Sequence, residues 1–453
     1  MDQIEEQAVK NEEETNSNEE KQKVSWYICL TTFIIYVFQS APYGFFESLY
    51  PVLYGLADFD EEDLSFFRFS GVPWCLKVII GTVFQRYWNP PRWFVFILHI
   101  LIGGLLIPLT WIPLTNIGAS TALFFVINSV TVIHDVVYDG QMIVLFKDNA
   151  VVLEMLQLGA YLVFDVLLSF VGISFYTPYI FLVIGIISVL TSGLLFVYKW
   201  EDLPTNEFSG IWTDIKETIW PAVTIFLYYF CTSFGDSMLS YFGSDIQPDE
   251  DKIGNIFGVY MIGAFLGMLF GQYFFIKIAY RWAVVIALFV EAVSVFFFMF
   301  LTDKSKYGLQ ISMFLIGGFV TQATDAIIQT FSIDASATGS VPTFTYAWLQ
   351  SLLMAGSTIG GCVFPLCKKN LSWTEFWGVN IGICGGLGVI LAILFGLFPN
   401  AYNDRTLKIK PTVTSLCGKK NMIKEKENSS SMNEENKSEN EDTSEKNEES
   451  VSA

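Results

Sequence analysis

The stretch VTVIHDVVYDGQMIV, Val130 to Val144, is apolar except where His134, Asp135, Asp139 and Gln141 interrupt it. An ionised side chain at bilayer depth costs at least ~2.5–3.5 kcal/mol on insertion scales, so it must face a partner, a cavity or a pathway. Asp135 and Asp139 are four residues apart and share one helix face. Two ionised carboxylates there repel, and one of them tends to hold a proton, which is the chemistry of proton coupling. His134 points roughly 100° away around the same helix, so it is read as a packing or hydrogen-bonding residue or as a proton relay. The same logic singles out Glu47 in APYGFFESLYP, Lys77 in GVPWCLKVIIG, Asp236 in FGDS and Asp325 in VTQATD as residues of a substrate or proton pathway. Glu291 reads as a charge with a structural partner, and Asp165 is undecided.

The elements that must carry these charges follow from composition. The chain has 453 residues, 52% apolar and 16% aromatic with only 16% charged, and its mean hydropathy is +0.45. That is a membrane composition. A window of roughly 19 residues finds candidate spans at 26–54, 64–85, 93–113, 119–144, 151–172, 178–198, 219–243, 253–276, 282–302, 309–333, 341–365 and 376–398. The expectation is an all-α membrane protein of twelve transmembrane helices. Residues 1–24 and 399–453 are acidic or polar low-complexity tails that cannot bury enough apolar surface to fold. The net charge of −19 argues against nucleic acid as a partner. Five of the seven cysteines (Cys29, Cys75, Cys231, Cys362 and Cys384) lie in apolar stretches with no metal-site spacing and read as small buried hydrophobes. With His99 and His134 as its only histidines, and no nucleophile elbow or HExxH, the chain is not expected to be an enzyme, to bind a metal or to need a cofactor.

The longest polar connection, KWEDLPTNEFSGIWTDIKET, divides the spans into two sets of six. At an offset of 189 to 190 residues, Glu47 in FFES matches Asp236 in FGDS, Gly81 matches Gly271, Arg92–Trp93 matches Arg281–Trp282, and VTVIHD matches VTQATD. Ordered self-similarity of this kind fixes architecture. The expected domains are an N-terminal bundle at 25–198, a cytoplasmic linker at 199–218 and a C-terminal bundle at 219–398, as parallel repeats resembling the major facilitator superfamily. Arg86, Arg92 and Lys147 fall on one side of the first set, which places both termini in the cytoplasm of a plasma or internal membrane. The second set is less clear, because Lys252, Lys304, Lys306, Lys368 and Lys369 fall on the other side. By resemblance to that superfamily, spans one, four, seven and ten line a central cavity, and each carries an acid.

At 1.5 Å per residue, Lys77 lies about 20 Å into span two and Asp135 about 18 Å into span four, so a Lys77–Asp135 ion pair is geometrically allowed. In span one Pro42, Gly44 and Pro51 interrupt regular helix, as a kink or as a ligand-coordinating break. The acidic loops ADFDEED and QPDED favour the positive ends of the following helices and need no ligand.

GVPWCLKVIIG resembles the Pro-Trp-x-x-Lys-x-x-x-Gly signature of the folate–biopterin transporter family through Pro73, Trp74, Lys77 and Gly81. HDVVYDG resembles that family's Asp-Val-x-x-Asp segment through Asp135 and Asp139. Both segments are also similar to patterns of muropeptide permeases and acetyl-CoA transporters. The chain departs from these families at Phe84–Gln85–Arg86, where an Asp usually precedes the Arg. The resemblance implies a secondary active transporter of a small organic solute by alternating access, pterin- or folate-like for preference, coupled to protons or another cation. Its partners would be that solute, the bilayer and the coupling ion. The alternatives are an acyl-CoA or muropeptide-like transporter, and a sensor or scaffold of transporter fold that moves nothing.

Overall fold

The computed structural model describes residues 25–397 except 58, 88–90, 147–149, 174–175, 198–199, 201–209, 243–245, 248, 275–279, 304–305 and 338–341. Both expected tails and much of the expected linker lie outside the described residues. All of the described residues belong to one compact unit, Met1–Leu407.

Among the described residues twelve helical segments run in order: α1 Trp26–Leu56, α2 61–87, α3 Arg92–Trp111, α4 Ile117–Leu145, α5 150–173, α6 Tyr179–Phe196, α7 Ile211–Tyr241, α8 Glu250–Phe274, α9 Tyr280–Phe298, α10 Tyr307–Ala337, α11 Pro342–Lys368 and α12 Trp373–Leu397. Among the described residues nine of these are long and apolar enough to cross a bilayer. Helix is the form in which one segment satisfies all of its own backbone hydrogen bonds, and hydrocarbon offers no other partner.

One segment differs from expectation, and in another the break that its prolines allowed is absent. Helix α7 starts at Ile211, inside the stretch expected to be linker. Asp214 is buried there and accepts a hydrogen bond from the Thr345 hydroxyl of α11 at 2.8 Å, so this turn is held by tertiary contact. Helix α1 neither breaks nor ends at its prolines. It passes through a π-helical turn at Phe45–Leu49, and Pro51 then sits in the first turn of the next α-helical segment, where its missing N–H costs little. A second π turn, Leu168–Ile173 in α5, packs against the first.

Packing differs between the two ends of the bundle. At the end away from Trp26 and Leu397, one apolar cluster draws residues from both sets of six, including Tyr50, Phe67 and Phe124 with Phe242, Phe314 and Trp377. Toward the opposite end two clusters stay within a set, Tyr138, Met142 and Phe146 in the first and Ile225, Leu288 and Ile328 in the second, and a smaller one joins Leu158 and Leu162 of α5 to Met261 and Met268 of α8. Helices α2 and α11 cross between the sets, tied by the Ser65 hydroxyl to the Cys362 carbonyl at 2.8 Å and by the Val78 N–H to the Ser351 hydroxyl at 2.7 Å. Helices α8 and α10 approach backbone to backbone. A methyl group on Gly267 would lie 2.1 Å from the Phe319 carbonyl oxygen, so glycine is required there.

Candidate functional site

A cavity of about 240 Å³ opens between the two sets of helices, lined from α1, α2, α4 and α5 on one side and α7, α8, α10 and α11 on the other. Each helix presents its polar residues at helical spacing. Tyr36, Gln39, Ser40 and Tyr43 form one such stripe on α1, and Thr321, Gln322, Asp325 and Gln329 another on α10.

Lys77 is buried on the first wall and forms an ion pair with Asp135. Its Nζ also lies 3.6 Å from Asp139 Oδ2 and 5.7 Å from the centre of the Tyr346 ring, within cation–π range. Further donors complete the two carboxylates. The Gln39 amide donates to Asp135 Oδ1 at 2.6 Å, the Tyr36 hydroxyl donates to Asp139 Oδ1 at 2.8 Å, and Gln157 Nε2 lies 3.4 Å from Asp139 Oδ2. One ammonium held by two carboxylates can pass from one to the other as either takes a proton, so the triad can couple protonation to side-chain rearrangement.

The second wall has a different chemistry. Asp325 lines the cavity with the Tyr228 and Tyr229 hydroxyls directed at its carboxyl group, of which Oδ1 is left without a hydrogen bond among the described residues. Behind it, the Tyr228 hydroxyl and Thr324 hydroxyl lie 2.7 Å apart, and Glu291 accepts from the Thr321 hydroxyl at 3.1 Å. Glu291 thus has the structural partner expected of it.

Most of the remaining residues singled out in the sequence are placed elsewhere. Glu47 lies in the π turn of α1 and pairs with the buried Arg68 of α2, away from the cavity lining. Arg68 in turn sits 5.6 Å from the Phe46 ring centre. His134 turns away from the cavity to His99 of α3, with ring nitrogens 3.2 Å apart. Asp165, fully buried in α5, abuts the backbone of Gly44. Gly81 sits where a methyl group would lie 3.2 Å from the Ala347 side chain, which lets α2 and α11 close on each other. Pro73 and Trp74 begin the short helical turn before Lys77, and Trp74 lines the cavity. The side chain of Asp236 lies outside the described residues.

The sequence reading missed Arg68, Tyr36, Gln39, Gln157 and Tyr346. For Arg68 a signal was present: it lies seven residues into α2 and Glu47 nine from the end of α1, close enough in depth for the argument that paired Lys77 with Asp135.

Comparison with known proteins agrees with this architecture. The family model of the Major Facilitator Superfamily matches residues 221–425. A search of the curated proteins finds no significant match. Among solved structures the chain is similar to the nucleoside transporter NupG, with a TM-score of 0.59 at 12% identity over 82% of this chain and 99% of that one. It is also similar to a D-xylose-proton symporter, with a TM-score of 0.59 at 15% identity over 82% of this chain and 97% of that one. The chain is therefore an integral, multi-pass membrane protein with the major facilitator fold.

Proposed function

We propose that this protein is a secondary active transporter that moves a small organic solute by alternating access, with protons or another cation biasing the cycle. The observation that carries the reading is the cavity between the two helix sets with the Lys77–Asp135–Asp139 triad on its wall. Residues 25–198 and 219–398 are the two bodies that rock. The large apolar cluster shared by both sets closes one end, and toward the other end the shared apolar contact is the smaller one of Leu158 and Leu162 with Met261 and Met268, which gives way more easily. Both termini lie in the cytoplasm, so the described state is closed to the outside. The resemblance at Pro73–Gly81 and Asp135–Asp139 favours a pterin- or folate-like solute, and the names of the two similar structures support a small polar cargo and proton coupling.

In this cycle a proton reaching Asp135 loosens its hold on Lys77, which shifts toward Asp139. That shift moves α2 relative to α4, and α2 carries the contacts to α11 across the two bodies. The test is uptake into proteoliposomes under an imposed pH gradient. Wild type should accumulate solute when the gradient is present, and Asp135→Asn should lose the pH dependence while eluting as a folded monodisperse species. Saturable binding without flux in wild type would replace the transporter with a sensor of the same fold.

A further inference from the structure

The polar atoms of the cavity that have no partner describe the solute. Lys77, the cation of the lining, is taken up by Asp135 and Asp139. No described lysine or arginine pairs with Asp325. Among the described residues, an anionic solute would therefore meet three lining carboxyl groups, Asp135, Glu154 and Asp325, and no uncommitted cation. Desolvating an anion in such a site is unfavourable whichever of those groups holds a proton.

Among the polar atoms of the lining that make no hydrogen bond among the described residues are four on both sides of the cavity. Two are acceptors, Asp325 Oδ1 on α10 and Gln39 Oε1 on α1, and two are donors, Trp74 Nε1 on α2 and Gln350 Nε2 on α11. A buried polar atom left without a partner costs about 1–3 kcal/mol, so this arrangement favours a ligand with complementary groups. Between these atoms the walls are aromatic: Tyr43 lies 5.3 Å from Trp74 and 5.6 Å from Tyr161, ring centre to ring centre. The cavity volume of about 240 Å³ falls below the ~300–1,000 Å³ usual for drug-sized ligands. A single or fused ring fits within it.

We propose that the solute is a compact planar N-heterocycle, uncharged or singly cationic, that presents an N–H edge to Asp325 and carries no anionic group. Asp325 is the residue that sets this specificity, and Trp74 and Gln350 meet the acceptor atoms of the ring. The inference rests on the transport reading for its setting and narrows it: a free pteridine or nucleobase-sized ring is admitted, while a carboxylated or phosphorylated relative of the same ring is refused.

The test is equilibrium binding to the purified full-length protein in nanodiscs with a matched pair of probes, 6-methylpterin and pterin-6-carboxylate, and with adenine as an unrelated uncharged ring. An uncharged ring should bind at least tenfold more tightly than the carboxylate. Asp325→Asn should weaken that binding at least tenfold, with an unchanged gel-filtration profile. Equal or tighter binding of the carboxylate, no binding of either uncharged ring, or unchanged binding in a folded Asp325→Asn protein would overturn the proposal. The selectivity of the wild type needs no variant and stands as a test by itself. Uptake separates the two claims. Binding with the stated preference but no flux defeats the transport reading alone, and preferential flux of the anionic twin defeats this inference alone.

Discussion

The two walls of the cavity come from corresponding stretches of sequence and yet do opposite things. Asp135 and Asp325 stand at the same place in their repeats, 190 residues apart, as do Lys77 and Gly267 and the pair Asp139 and Gln329. On the first wall the carboxylate has a cation, a neighbouring carboxylate and an amide donor. On the second wall the position corresponding to Lys77 holds a glycine pressed against the backbone of α10. A side chain cannot be accommodated there, so Asp325 has no counterpart of Lys77. Close helix packing on one side has thus been obtained where the other side keeps an ion pair. The ion pair thus belongs to the first wall, and the second wall carries a carboxyl group with no lysine or arginine beside it among the described residues.

The largest expected effect comes from removing the cation. Lys77→Met leaves Asp135 and Asp139 facing each other in a buried site, and breaking a buried ion pair by removing one partner costs about 3–5 kcal/mol. Uptake should fall at least 100-fold and thermal unfolding should shift down in step. Adding Asp135→Asn should restore part of the stability but not coupling. If Lys77→Met melts with wild type, the ion pair does not hold the first wall together.

The second wall should fail through packing. Gly267→Val places two methyl groups into the Phe319 carbonyl region and should cost about 1–3 kcal/mol by overpacking, read as a lowered unfolding temperature. Gly104→Val on α3, where an added Cβ meets nothing within 4 Å, is the control and should leave stability unchanged. Equal melting of the two variants would remove the steric reason for the asymmetry.

Much of the frame was legible in the sequence because bilayer thickness imposes long apolar runs and a buried charge stands out against them. The twelve segments and the Lys77–Asp135 pair follow from those two facts. What escaped notice was neutral and distant. Gln39 and Tyr36 reach Asp135 and Asp139 across about a hundred residues of chain, and an amide or phenol in an apolar helix carries too small a desolvation penalty to attract attention alone. Their periodicity was nevertheless present: 36, 39, 40 and 43 on α1 and 154, 157, 161 and 165 on α5 each mark one helix face. The early start of α7 could not be read, because Asp214 is paid for by Thr345, 131 residues away.

The smallest effect separates neighbours on one helix. His134 and Asp135 are adjacent in sequence, but one faces α3 and the other the cavity. His134 packs on His99, whose second nitrogen lies 3.3 Å from the Thr191 hydroxyl, and its ring is 5.6 Å from that of Tyr138. This chain of contacts ties α3, α4 and α6 together and meets the cavity lining through the Tyr138 ring, 5.1 Å from that of Tyr36, without reaching Lys77 itself. His134→Gln should therefore lower stability by about 1 kcal/mol, the worth of one hydrogen bond, and leave the pH profile of uptake in place. A profile displaced by His134→Gln as far as by Asp135→Asn would move proton coupling off the cavity wall and into the contact between α3 and α4.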